Sequence, residues 1–235
     1  MTTAGIIGGI GPESTIDYYR RILAEWSELE PGTAPSLVIN SIDVRRALRL
    51  AQHDLPGLIE YLVPELQRLA GAGADFAALS ANTPHIVFDA LVERTSIPLL
   101  SIVEVAAVES GRRGLRKLGL IGTRFTMEAP FYPKVFRRRG LQVVVPPEPD
   151  LTWVHDRYIG ELLVGEFRPE TRAGMEAVVA RLRDNAQIDG VILGGTELPL
   201  LLQSSTVAGL PALDTTGLHV SAIVARLRGH SAATT

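Results

Sequence analysis

The chain has 235 residues, 46% hydrophobic and 21% charged, a balance that supplies enough apolar material for packed cores and does not fit a disordered protein. Its formal net charge of −3 gives no electrostatic ground for nucleic acid or an anionic membrane as partner. Cysteine is absent, which excludes disulfides, thiolate metal sites and every thiol mechanism.

Short apolar runs bounded by glycine alternate with longer amphipathic stretches, the pattern of βαβ units around a mostly parallel sheet. In chain order the predicted elements are a strand at 4–7, helix 14–29, strand 36–41, helix 57–72, strand 76–80, helix 85–95, strand 99–102 and helix 102–113. Then come strand 117–121, helix 129–138, strand 142–145, helices 152–164 and 169–185, strand 190–193, strand 212–214 and helix 216–228. Residues 230–235 are small and polar and read as a frayed tail. Met1 leads straight into an apolar strand without a basic leader, and no apolar stretch nears the ~20 residues of a membrane span, so a cytoplasmic protein is expected.

Two sequence patterns recur at one offset. Gly5-Ile-Ile-Gly-Gly9 is matched by Gly119-Leu-Ile-Gly-Thr123, and the stretch that opens at Asp75 by the one that opens at Asp189, a shift of 114 residues in both cases. A shared offset at separated places predicts an internal duplication. The expectation is two α/β lobes related by a pseudo-twofold axis, each a short, mostly parallel sheet flanked by helices, with an active-site cleft between them. Lobe boundaries are expected at 1–112 and 113–215, with helix 216–235 crossing back to the first lobe.

Three loops follow predicted strands. Gly8-Gly9-Ile10-Gly11-Pro12-Glu13-Ser14-Thr15 turns into a helix that Ser14 or Thr15 would cap, leaving amide hydrogens free for a carboxylate or phosphate. Pro12 and Glu13 depart from a dinucleotide fingerprint, since an acidic side chain there repels pyrophosphate. Ser80-Ala81-Asn82-Thr83-Pro84-His85 has the same strand–loop–helix layout, and its mate is Gly194-Gly195-Thr196-Glu197-Leu198-Pro199. Asn82, Thr83 and Thr196 offer an amide and hydroxyls suited to a small carboxylate, or else they cap helices.

Titratable candidates are few. His85 is either a general base or a buried, hydrogen-bonded support; Glu197 either exchanges protons or caps the next helix. Ser80 is the hydroxyl nucleophile candidate if His85 reaches it, although no G-x-S-x-G elbow surrounds it. Asp43, Arg45 and Arg46 follow the strand ending at Ser41, where an arginine such as Arg45 meets a distal substrate carboxylate or simply opens an exposed helix. His155 and Asp156 read as surface residues. No two histidines have ligand spacing and the carboxylates are scattered, so no metal is expected.

The motifs G-I-I-G-G-I-G-P-E-S-T, S-A-N-T-P-H and L-G-G-T-E-L-P-L-L-L resemble the signatures of the aspartate/glutamate racemase superfamily, in order and over essentially the whole chain. The resemblance implies two α/β lobes, no cofactor, a homodimer, and an amino acid or small dicarboxylic acid as ligand. It places the carboxylate-binding parts at Ser14, Thr15, Asn82, Thr83 and Thr196, with Glu197 and His85 matching the family's acid and histidine. Family racemases use one cysteine just before Asn-Thr and another in Gly-Cys-Thr-Glu; here those positions are Ala81, or Ser80 under a one-residue variation, and Gly195. A methyl group or a hydrogen moves no proton, so the two-thiol mechanism is excluded. Expected instead is isomerase or lyase-type proton chemistry with Ser80, His85 and Glu197 as acid–base candidates. The alternatives are a non-catalytic carboxylate-binding or regulatory protein, or a hydrolase or cyclase built on Ser80 and His85.

Overall fold

Apolar residues 4–8 are buried from end to end in strand β1 (Thr3–Gly8), the second strand of a four-stranded sheet. The structure is a computed structural model that describes residues 2–229; the expected tail at 230–235 lies outside them. After β1 come α1 (Pro12–Leu29), β2 (Ser36–Ser41), α2 (Val44–His53), α3 (Leu55–Gly71) and β3 (Phe76–Leu79). A 3-10 turn over Thr83–Val87, α4 (Phe88–Arg94) and β4 (Leu99–Leu100) complete the first sheet, ordered β2-β1-β3-β4 with every pairing parallel. Helix α3 shows why the periodicity works: Leu58, Leu62, Leu66 and Leu69, three or four residues apart, form one buried stripe.

The second sheet belongs to the elements that follow: α5 (Ile102–Arg112), β5 (Lys117–Ile121), α6 (Arg124–Glu128), α7 (Phe131–Arg138), β6 (Gln142–Val144) and α8 (Asp150–Gly160). Next are a 3-10 turn over Leu162–Val164, α9 (Pro169–Ala186), β7 (Gly190–Leu193), α10 (Leu198–Leu202), β8 (Thr206–Val207), β9 (Leu210–Asp214) and α11 (Thr215–Leu227). The strand order is β6-β5-β7-β9-β8, parallel except for the antiparallel edge strand β8.

The duplication read from the sequence is written into the hydrogen bonds of the two sheets. Asp75 accepts from the Thr3 amide at 2.7 Å and Asp189 from the Lys117 amide at 3.0 Å. Ser80 N donates to Ile7 O at 3.0 Å and Gly194 N to Ile121 O at 2.8 Å. In both comparisons each residue of the second bond lies 114 positions after its counterpart in the first. Gly5 and Gly119 are also equivalent: a Cβ on Gly5 would lie 3.0 Å from Ala74 Cβ, and one on Gly119 2.8 Å from Ile188 Cδ1. Glycine at this strand position lets the covering helix and its exit loop approach the sheet closely.

By contact, the chain divides into unit 1, residues 1–102 with 219–235, and unit 2, Val103–Leu218. The boundary therefore lies about ten residues before the expected 112/113, because α5 packs with unit 2: Glu104 pairs with Arg139 at 3.5 Å and with Arg138 at 3.8 Å. The C-terminal part of α11 belongs to unit 1, where His219 Nδ1 accepts from Tyr18 Oη at 2.9 Å and Ser221 Oγ donates to Glu25 at 2.8 Å. Local differences from the expected elements have local causes. The predicted helix 85–95 begins as a 3-10 turn, in step with Pro84 at its start, and the predicted helix 152–164 breaks after Gly160. The predicted strand 99–102 is only two residues long because Ile102 already opens α5. Helices α2, α6 and α10 and strand β8 had no place among the predicted elements.

Candidate functional site

In unit 1 the glycine loop is shaped by close approach. Gly9 and Gly11 have φ of 80° and 91°, and a Cβ on Gly9 would sit 2.5 Å from Ile42 O. The Ile42 amide donates to Gly8 O at 3.0 Å, which ties the loop to the end of β2. The helix cap expected at Ser14 or Thr15 is corrected: Pro12 takes the first helical turn, so the capping position falls on Gly11, without a side-chain bond. Thr15 Oγ1 accepts from Gly9 N at 2.8 Å and donates to Gly11 O at 3.3 Å, holding the loop from inside the helix, and Ser14 is fully buried. At least one loop amide is thus already engaged within the loop.

The second loop leaves β3 with Ser80 and Ala81, both buried. Ser80 Oγ donates to Ile7 O at 3.0 Å. His85 has both ring nitrogens occupied: Nδ1–H donates to Ala81 O at 3.1 Å, and Nε2 accepts from the Ile102 amide at 3.3 Å. Its ring stacks on Phe88 with centroids 5.0 Å apart. Burial, reinforced by nearby His219, lowers its pKa to about 3, so the imidazole is neutral near pH 7. These bonds correct the expected Ser80–His85 nucleophile pair, because neither residue is bonded to the other and both are spent on backbone groups. His85 is a bracket between the loop and the start of α5. Asn82 occupies the capping position of the 3-10 turn without capping it through its side chain, and is 4% exposed. Thr83 is half-buried beside it.

Arg45 stands exposed in the first turn of α2. Asp43 caps that helix by accepting from Arg45 N at 2.9 Å and Arg46 N at 3.2 Å. The guanidinium of Arg46 lies 4.4 Å over the Tyr61 ring, whereas no hydrogen bond or ion pair engages that of Arg45 among the described residues.

In unit 2 the mate loop runs from the end of β7 through Gly194, Gly195, Thr196 and Glu197 into α10. Glu197 sits at the capping position of α10 without a side-chain cap. Its Oε2 instead accepts from Thr196 Oγ1 at 3.1 Å and from the phenol of Tyr158, which reaches the loop from α8. A Cβ built on Gly195 would lie 2.3 Å from Tyr158 Oη and 2.4 Å from Cε2: the tyrosine ring fills the space a side chain at 195 would claim. The phenolic oxygen also receives the Glu197 amide, and the Thr196 hydroxyl lies beside it. Burial first, and then the Glu197 charge, push its pKa well above that of an ordinary tyrosine. The sequence reading missed Tyr158. Its one signal was position, seven and four residues along from Leu151 and Val154 on the buried face of α8.

His155 lies elsewhere, its Nδ1 accepting from the Arg124 amide at 3.2 Å, and Asp156 is exposed. Among the described residues no three His, Asp or Glu side chains are grouped to hold a metal, and no helix is long and apolar enough to cross a membrane.

Two sheets whose four parallel strands run in the order 2-1-3-4, each with a polar loop after its third strand, define a duplicated α/β protein of the racemase fold. Over residues 7–223 the sequence matches the Asp/Glu/Hydantoin racemase family, and the chain belongs to it. An aspartate racemase homologue from Pyrococcus horikoshii is similar at 33% identity and a TM-score of 0.83, over 97% of this chain and 100% of that one. The aspartate racemase of Picrophilus torridus shares the fold at 19% identity and a TM-score of 0.73, over 97% and 94% of the two chains. The broad specificity amino-acid racemase RacX of Bacillus subtilis is 28% identical over 148 residues; the match spans 60% of this chain and 63% of that relative.

Proposed function

We propose that the protein binds a small amino acid or dicarboxylic acid by its carboxylate and carries out racemase-like isomerase chemistry, or related proton transfer, without the two-thiol mechanism. One observation supports this reading: the chain matches the racemase family over residues 7–223, and its motifs carry Asn82, Thr83, Thr196 and Glu197 where the resemblance places the family's polar loop residues, with Ala81 and Gly195 at the two thiol positions. Similarity to an aspartate racemase homologue and to a broad specificity amino-acid racemase supports the substrate class. In this reading Asn82 and Thr83 are the carboxylate-binding groups of unit 1, where Ser14 and Thr15 shape the glycine loop and the unengaged guanidinium of Arg45 meets a distal carboxylate; Thr196 is the carboxylate-binding group of unit 2. Glu197 handles protons, and Ser80 and His85, bound to backbone, hold their loop in place. The protein works as a cytoplasmic homodimer without a cofactor.

The test is a screen of aspartate, glutamate, their homologues and small dicarboxylic acids in deuterated water, with the proton next to the carboxylate followed by NMR. At least one compound is expected to lose that signal in a protein-dependent way, and the reading fails if none does. A second reading, a non-catalytic carboxylate-binding protein, is favoured by the Tyr158 ring over Gly195. Ligand-induced thermal stabilisation without any exchange is the result that would select it.

A further inference from the structure

We infer that Tyr158 is the proton-carrying group of the unit 2 loop, its phenol standing where Gly195 leaves room and Glu197 serving as its proton partner. The substrate is an acid with a C–H bond next to its carboxylate, so this inference rests on the proton-transfer reading above.

Packing alone asks only for an aromatic ring beside Gly195, and phenylalanine would satisfy it. What the site holds is a hydroxyl with three polar contacts, all to the two residues that follow Gly195. Oη donates to Glu197 Oε2 and receives the Glu197 amide, while the Thr196 hydroxyl beside it gives its one hydrogen to Glu197 Oε2. The amide is placed to stabilise negative charge on the phenol oxygen, as preorganised N–H groups do where charge develops. Tyr158, Thr196 and Glu197 are 3%, 4% and 3% exposed, so the bonds operate largely out of water, where they are strongest. The raised pKa keeps the phenol protonated at rest, which makes it a donor first. It becomes a base only with help from a neighbour, and the carboxylate of Glu197 is that neighbour.

The step balances without any co-reactant. The substrate C–H bond breaks and its electron pair moves toward the substrate carboxylate as an enediolate. The released proton bonds to Tyr158 Oη while the phenolic proton passes to Glu197, leaving the phenol neutral and Glu197 protonated. Reversal returns a proton to carbon, and exchange of the Glu197 proton with solvent in the interval delivers deuterium. Glu197 thereby acquires the role of proton relay in place of a helix cap.

The experiment compares the full chain with Tyr158→Phe and Glu197→Gln. It reads deuterium exchange, its pH profile, thermal melting and ligand-induced stabilisation. Tyr158→Phe keeps the ring and is expected to melt cooperatively and retain ligand stabilisation while exchange falls by about 10²- to 10⁴-fold, the usual weight of general acid–base catalysis. Exchange within about threefold of the parent in a folded Tyr158→Phe protein overturns the inference and leaves the proton-transfer reading standing. Should that variant not fold, Glu197→Gln decides: removing the charge beside the phenol is expected to slow exchange and displace its pH profile, and an unchanged rate and profile overturn the inference. If the parent itself exchanges no acid in the screen, the proton-transfer reading falls and this inference falls with it.

Discussion

Gly195 carries no side chain, yet its neighbourhood is full. Replacing it with cysteine, the residue the family places there, would bring Cβ to 2.3 Å from Tyr158 Oη. Overpacking of this kind typically costs about 1–3 kcal/mol, so Gly195→Cys is expected to lower stability by that order in chemical denaturation. The cost should shrink in a Tyr158→Ala background, because the ring that clashes is gone; a double variant whose losses simply add would refute the shared-space argument. At this scale the sequence was partly legible. Asn82, Thr83, Thr196 and Glu197 stood out because a motif of neighbouring residues names itself. Tyr158 did not, since its contact with Gly195 and Glu197 spans 39 residues to the latter and depends on how α8 lies against the loop. His85 was read with two open roles, and only the backbone groups at Ala81 and Ile102 decide between them.

At the level of elements, the repeated glycines make a prediction that separates the two sheets. Gly5→Ala would place its Cβ against Ala74 Cβ at 3.0 Å and Leu69 Cβ at 3.1 Å, atoms fixed to the backbone. Gly119→Ala would meet Ile188 Cδ1 and Leu182 Cδ2 at 2.8 Å, the far ends of side chains that can turn away. Gly5→Ala should therefore cost more, about 1–3 kcal/mol, and Gly119→Ala less, as read from their melting temperatures; equal shifts would contradict the difference in rigidity. Strands β2, β5 and β7 were legible residue for residue, because a glycine- or turn-bounded apolar run has one plausible extent. Helices α6 and α10 have five residues each, too few for a 3.6-residue period to show. Helix α2 carries three arginines and buries only Ala47 and Ala51, so its apolar stripe is faint in the sequence.

Across the whole molecule, acid stability should be uneven. His85 and His219 both belong to unit 1, and burial is the largest cause holding their pKa values to about 3 and about 4. Unfolding restores an ordinary value near 6.5. Below pH 6.5 the unfolded chain takes up protons that the folded chain refuses, so stability falls as pH drops, by about 1.4 kcal/mol per pH unit for each histidine. For His219 that loss runs down to about pH 4 and for His85 to about pH 3. Denaturant titrations between pH 7 and 4.5 should show this slope, with unit 1 amides losing hydrogen-exchange protection before those of unit 2; equal acid sensitivity of the two would count against it. The division of the chain also bears on its synthesis. Unit 2 is one unbroken stretch, whereas unit 1 lacks its last helical segment until residues beyond Leu218 have been made. At roughly 5–20 residues per second, β1 to β4 wait on the order of ten seconds on the ribosome. During that interval Tyr18 lacks His219, and Phe76 lacks the Arg226 guanidinium that later lies 4.7 Å over its ring. The half of the chain that is translated first is therefore the half whose contacts are completed last.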